Sequence, residues 1–288
     1  MKKLTALFMA VAMMLTATAV FAFDANNEVV VVSREEGSGT RGAFVEITGV
    51  LAKDADGNEV DYTTPEAEVQ NATSQVLVSV AENELAIGYV SLAALNETVK
   101  ALKIDGVEAT VENIVSGEYK VARPFNVVTK KDGQLSEIAQ NFFDFIMSAE
   151  GQKVISENDA IAVDANAPAF EVKEIEGKVV VGGSTSVGPI MEKLAEAYKA
   201  LNPKADIQVQ GGGSSTGVNQ ALEGTFDLGM ASRAIKASEI EKGALGTAIA
   251  MDGIAVIVNP ANTTEELSLE QLRQIFVGEI LNWSDLNK

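Results

Sequence analysis

Val179-Val180-Val181-Gly182-Gly183-Ser184-Thr185-Ser186-Val187-Gly188-Pro189-Ile190-Met191 decides how the rest of the chain is read. Three consecutive valines predict a buried strand. Two glycines and three hydroxyl residues follow as a tight polar turn. Beyond it Val187, Ile190, Met191, Leu194, Tyr198 and Leu201 recur at spacings of three and four, one apolar helix face. Asn202-Pro203 ends that helix, because the residue before proline is driven out of the α region. The same strand–turn–helix unit appears twice more. Val29–Val32 runs into Ser33-Arg34-Glu35-Glu36-Gly37-Ser38-Gly39-Thr40-Arg41, with Phe44, Val45 and Ile47 beyond it and then Gly49. Ile207–Gln210 runs into Gly211-Gly212-Gly213-Ser214-Ser215-Thr216-Gly217, with Val218, Ala221 and Leu222 beyond it and Gly224 as the closing residue. Further strands are expected at Leu85–Val90, Phe125–Thr129, Phe226–Met230 and Ile254–Val258, and longer helices at Leu135–Met147 and Leu269–Val277. Alternating elements joined by short turns imply an α/β architecture.

Composition narrows the chemistry. At 288 residues and 47% hydrophobic, the chain has material for about two domains with substantial cores. It contains no Cys and no His, which excludes disulfides, Cys/His zinc sites, thiol nucleophiles and any triad that uses His. With 22 Lys+Arg against 41 Asp+Glu, the net charge is −19, the wrong sign for a broad nucleic-acid surface. Charged residues at 22% amid this much apolar sequence do not describe a disordered chain.

Residues 1–22 read as an address. Lys2 and Lys3 precede an apolar run to Leu15, and Val20-Phe21-Ala22 places small residues at −3 and −1. This predicts a signal peptide cleaved after Ala22. The run is too short for a membrane anchor, and Thr16 and Thr18 interrupt its end. Losing Lys2 and Lys3 leaves 20 basic residues against 41 acidic, a net charge of −21. A chain without Cys cannot carry the N-terminal lipid of a bacterial lipoprotein. The expected location is periplasmic, or outside the cell, without a lipid anchor.

The chemistry should sit at the three turns. In α/β sheets, ligands lie at the carboxyl ends of strands, where a helix start offers unpaired N–H groups and the positive end of its dipole. Three such turns rich in Ser and Thr point to a bound anion. None carries the Lys of a nucleotide P-loop, and a chain without His has no histidine base for a serine nucleophile elbow. What remains is a cradle of hydroxyls and amides with Arg34 or Arg41 as a fixed cation. A guanidinium fork suits a tetrahedral oxyanion. No cofactor and no metal are expected. The acids of Asp54-Ala55-Asp56-Gly57-Asn58 lack the later Glu of a calcium loop and read as a polar turn.

Jointly the three turns resemble the family of periplasmic phosphate-binding proteins that serve phosphate ABC transporters (PstS, type II of the PBP superfamily). Supporting stretches are Arg123-Pro124-Phe125-Asn126-Val127-Val128, Asp227-Leu228-Gly229-Met230-Ala231-Ser232-Arg233, Asp252-Gly253-Ile254-Ala255-Val256 and Ile280-Leu281-Asn282-Trp283-Ser284. The resemblance spans roughly residues 28–288. It implies a two-lobe, Venus-flytrap fold with two strands crossing between lobes. It also implies capture of inorganic phosphate for an ABC permease by a monomer without enzymatic activity. The segment order departs from the family, in which the Gly-Ser-Thr-Ser turn comes first and the Arg–Gly-Ser-Gly-Thr turn second. The expected architecture is therefore circularly permuted, with the ends near Asn27 and Lys288 adjacent. The crossing strands would be Arg123–Thr129 and Ile254–Pro260. Lobe one would be residues 121–261, and lobe two 23–120 plus 262–288.

By the same resemblance, Arg34, Ser38, Gly39, Thr40, Thr185, Ser186, Ser214 and Ser232 are the phosphate-binding residues, and Glu36 orients Arg34. Ser232 stands where some relatives carry an Asp that accepts a hydrogen bond from protonated phosphate. A hydroxyl can donate or accept, so sulfate, molybdate and tungstate stay open as ligands. A phosphatase and a phosphate sensor stay open as functions. Ser184 and Ser215 read as turn or cap residues, and Arg41 and Arg233 as partners of nearby acids. Glu35 reads as a solvated face and Trp283 as packing.

Overall fold

The apolar run Ile254–Val258 is the second half of a single fifteen-residue strand, Ala244–Val258, which organises the molecule. The computed structural model describes residues 23–287, so the predicted signal peptide 1–22 lies outside the described residues. Eight strands form the main path of the sheet. They are β1 (Val30–Arg34), β2 (Glu68–Gln70), β3 (Ala86–Ser91), β4 (Ala122–Lys130), β5 (Gly177–Gly183), β6 (Ala205–Gly211), β7 (Leu228–Ala231) and β8 (Ala244–Val258). The helices that matter below are α1 (Gly39–Thr48), α2 (Thr73–Glu82), α3 (Glu137–Ile146), α4 (Ala149–Ser156), α5 (Gly188–Leu201), α6 (Ser214–Glu223), α7 (Ala237–Glu241) and α8 (Leu269–Phe276). The strand order is β6-β5-β7-β4-β8-β3-β1-β2. Each outer trio is parallel within itself, and β4 and β8 join the trios through antiparallel pairs.

β8 belongs to both halves. Residues 244–253 pair with β4, through a register shift between Ala248 and Ala250, and Ile254–Val258 then pair with β3. The cores divide at the same place. One gathers Phe125, Phe142, Phe145, Val181, Leu194, Tyr198, Met230 and Ile249. The other gathers Val31, Phe44, Tyr89, Val121, Ile254, Val256, Phe276 and Trp283. Ala255 and Ile257 point to the opposite face and pack with Val32, Val76 and Val80. Burial on both faces is why this segment reads as an unbroken apolar run.

The strand pairing corrects the expected lobe boundaries. The chain crosses at Val121–Ala122, where Ile254 N–H donates to Val121 C=O, and again at Gly253–Ile254. Residues 254–258, expected in lobe one, are a strand of lobe two, and Arg123–Thr129 lies wholly within lobe one. The ends of the described chain run side by side. Val29 N–H donates to Leu281 C=O, Ser284 N–H to Ala25 C=O, and Phe23 meets the Trp283 ring edge-on at 5.9 Å. Trp283 is buried and donates to Leu85 C=O, the packing role expected of it. Among the described residues no helix is long and apolar enough to cross a membrane.

Candidate functional site

Three of the site's helices start directly at carboxyl ends of parallel strands, as the strand–turn–helix reading requires. α1 follows β1, α5 follows β5, and α6 follows β6. α2 starts beyond the edge strand β2 and was not singled out from the sequence. Ser38 caps α1, its hydroxyl accepting from Arg41 N–H at 3.3 Å. The α1 ladder begins with Gly42 N–H to Ser38 C=O, which leaves the amides of Gly39 and Thr40 ahead of it, facing the cleft end. Gly213, at φ +83°, turns the chain into α6, where Ser215 N–H donates across the lobes to Gly37 C=O at 3.1 Å.

The expected residues converge. Arg34 closes β1 and is only 2% exposed. Its Nη2 donates to Thr185 Oγ1 of the other lobe at 3.0 Å. Thr40 Oγ1 meets Ser186 Oγ at 2.8 Å, again between lobes. A Cβ on Gly39 would collide with Ser214 Oγ and approach Ser232 Oγ at 2.6 Å, so only glycine lets α1 come this near. Ser214 Oγ accepts from Ser232 N–H at 3.0 Å, and Ser232 Oγ takes the Ser184 hydroxyl at 2.8 Å. Ser184 also accepts from the amides of Ser186 and Val187, the turn-holding role expected of it.

Glu36 is a correction. It is exposed, and the acid that grips Arg34 is Glu35, through Nε at 2.7 Å and Nη2 at 2.9 Å. The cause is local. Ser38 N–H donates to Glu35 C=O, closing a four-residue turn with Gly37 at φ +87°. Glu36 therefore occupies the turn's outward second position, while Glu35 stays beside the strand end, its N–H bound to Gln70 C=O.

The remaining arginines near the cleft are paired as well. Arg41 binds Asp61 within its own lobe at 2.8 Å and donates to Arg34 C=O at 2.8 Å. Arg233 binds Glu239 at 2.8 Å through two nitrogens and reaches Ser215 Oγ at 3.3 Å. Burial raises the Glu239 carboxyl, but the Arg233 guanidinium and Lys236 N–H outweigh it and hold it below the usual carboxylate range. Arg123 and Asp252 face each other on β4 and β8 as a sealed pair at the crossing. Behind the site, Tyr89 OH accepts from Arg34 N–H at 3.2 Å and shares a bond with Ser33 Oγ at 2.9 Å. Burial pushes this phenol up to about 12, so it stays neutral while it fixes the Arg34 backbone.

Sequence reasoning missed Thr73. It opens α2, is 5% exposed, and its Oγ1 lies 3.2 Å from Arg34 Nη1 and 3.1 Å from Ser186 Oγ. The Asp54 loop is closed on itself by Asn58 and Asp56, and no acid cluster among the described residues has the makings of a metal site.

Dipoles and hydroxyls from both lobes, with one carboxylate-balanced guanidinium, make a site for a small oxyanion. The comparisons agree with that chemistry. A family model described as a PBP superfamily domain matches residues 16–150 and 168–288. The phosphate-binding protein PstS 2 of Streptococcus agalactiae is 50% identical over 258 residues, 90% of this chain and 87% of the relative. The chain belongs to the PstS family of the PBP superfamily. Among its PstS relatives, the Streptococcus pneumoniae PstS 2 is 44% identical over 91% of this chain and 89% of its own. The crystal structure of a phosphate ABC transporter phosphate-binding protein from Streptococcus pneumoniae is 44% identical. It matches this PstS fold with a TM-score of 0.71, covering 90% of this chain and all of that one.

Proposed function

We propose that this PstS-family chain captures inorganic phosphate between its lobes and delivers it to an ABC transporter permease. The observation that carries the reading is the meeting of Arg34, Thr40 and Gly39 of one lobe with Thr185, Ser186 and Ser214 of the other. Donors from both lobes on one anion make closure and dehydration a single event. Burying a charge is costly unless its oxygens are hydrogen-bonded; hydroxyls, amides and Arg34 supply those bonds, while Ser38, Ser214 and Ser232 complete the cradle. The reading involves binding without turnover: the donor set holds a substrate oxyanion but presents no base poised to activate a nucleophile. Export by a cleaved leader and action as a monomer outside the cytoplasmic membrane belong to the same proposal.

The segment order is read as a circular permutation of the family. The Glu28–Asn282 bridge and the hydrogen bonds beside it support this, since permutation joins termini that already lie together. Calorimetric titration with phosphate and sulfate tests the function. Saturable phosphate binding, with sulfate weaker and competing for the same site, is the expected result. No binding of phosphate overturns the proposal. Tighter binding of sulfate moves the chain to another oxyanion.

A further inference from the structure

We propose that Thr73 is a fourth-turn phosphate ligand, a hydroxyl donor set in place by Arg34. The proposal rests on the phosphate reading above and deepens it by naming a further binding residue. Thr73 is nine-tenths buried at the first position of α2. Ala72 precedes it as an N-cap with no side-chain bond, and the α2 ladder begins with Gln75 N–H and Val76 N–H on Ala72 C=O. The Thr73 hydroxyl does not fold back to cap its own helix. It reaches forward to Arg34 Nη1 at 3.2 Å, Ser186 Oγ at 3.1 Å and Thr185 Oγ1 at 3.3 Å. All three neighbours are residues of the anion cradle, and two of them stand on the opposite lobe.

The direction of these bonds fixes what Thr73 does. A guanidinium only donates. Arg34 Nη1–H therefore takes a lone pair of Thr73 Oγ1, just as Nη2–H takes one of Thr185 Oγ1 at 3.0 Å. Each threonine is left with its own O–H to give away. Arg34 thus holds one hydroxyl of each lobe in the donating sense, and the two oxygens lie close enough to address one small anion. Glu35 takes Nε and shares Nη2 with Thr185, so the guanidinium is held from its other edge. Arg34's charge is spread to the anion partly through Thr73, and a hydroxyl polarised by a cation is a stronger donor than a free one.

The test is calorimetric titration of inorganic phosphate into the protein and its Thr73→Val, Thr73→Ser and Arg34→Ala variants. Valine keeps the shape and removes the hydroxyl; serine keeps the hydroxyl. Loss of a hydrogen bond to a charged group predicts phosphate binding weakened by about 10- to 100-fold in Thr73→Val, with Thr73→Ser within about threefold of the parent. A folded Thr73→Val that binds phosphate like the parent overturns the inference. So does a Thr73→Ser as damaged as Thr73→Val, which would make the role one of shape. If Thr73→Val fails to fold, Thr73→Ala is judged by the same criterion. Phosphate binding by the parent, lost in Arg34→Ala but unchanged in Thr73→Val, overturns this inference alone; a parent that binds no phosphate overturns the functional reading with it.

Discussion

Of the buried arginines, Arg34 and Arg123 each sit beside one carboxylate in opposite settings. Arg34 and Glu35 sit where four helix starts meet, and Arg123 and Asp252 sit where the chain crosses between lobes. The side chain of Glu35 is 20% exposed, and that of Asp252 is 0% exposed. Arg34 Nη1 donates to Thr73, and Nη2 donates to Thr185 as well as to Glu35; these hydroxyls can rotate to suit a ligand. Arg123 instead donates to Asp252 and to the Ser232 carbonyl and lies 5.4 Å over the Phe125 ring, while Asp252 takes Ser91 Oγ and Ala93 N–H of the other lobe. Those partners are fixed in place. Burial works against both charges of the sealed pair, pushing Asp252 up and Arg123 down, and their mutual attraction offsets only part of it. Arg34 thus faces hydroxyls of both lobes beside its acid, whereas Arg123 faces a fully buried acid and a backbone carbonyl.

The largest expected effect is on the sealed pair. Arg123→Ala leaves Asp252 buried and uncompensated, and urea unfolding should show a loss of about 3–5 kcal/mol. Arg34→Ala should cost less stability in the same measurement, because Glu35 can rehydrate. Equal losses would erase the distinction. Next comes binding. Arg34→Ala should weaken phosphate by about 2–5 kcal/mol, the range for truncating one partner of a buried charged contact. A near-normal titration would reassign the cation.

A smaller effect separates the two neighbouring acids. Glu35→Ala frees the guanidinium from its two-point anchor and should weaken phosphate by roughly tenfold, the scale of one charge-assisted bond. Glu36→Ala should stay within about twofold, as for an exposed position. The reverse order would restore Glu36 as the orienting residue. The smallest effect is on acid stability. Glu239 is held below its unfolded value, so its contribution is present above the ordinary carboxylate range. It is lost as pH falls through the depressed folded value. Removing the partner in Arg233→Ala should flatten that part of the stability profile; an unchanged acid slope would show that Glu239 does not contribute.

What the sequence discloses follows the strength of the local signal. The three glycine-rich turns were legible because a buried strand before them and a helical apolar period after them frame each one. Within those turns, Gly39 and Ser214 are singled out by the family resemblance rather than by the local pattern. Thr73 was not legible. The strand before it, Glu68–Gln70, is a short edge strand with Val69 exposed, and Asn71-Ala72 carries no glycine to mark the turn. The first half of β8 was missed for a related reason: Gly246, Asp252 and Gly253 break its apolar pattern, and the aspartate is there to meet Arg123. Glu35 and Glu36 differ by one position, and only the rotation of the Gly37 turn decides which of them faces inward.

The central claim is spatial, and a crystal structure of the protein grown with phosphate tests it most directly. One tetrahedral anion is expected between α1, α2, α5 and α6, within hydrogen-bond reach of Arg34, Thr40, Thr185 and Ser214. Phosphate bound to one lobe alone, or away from Arg34, would contradict it.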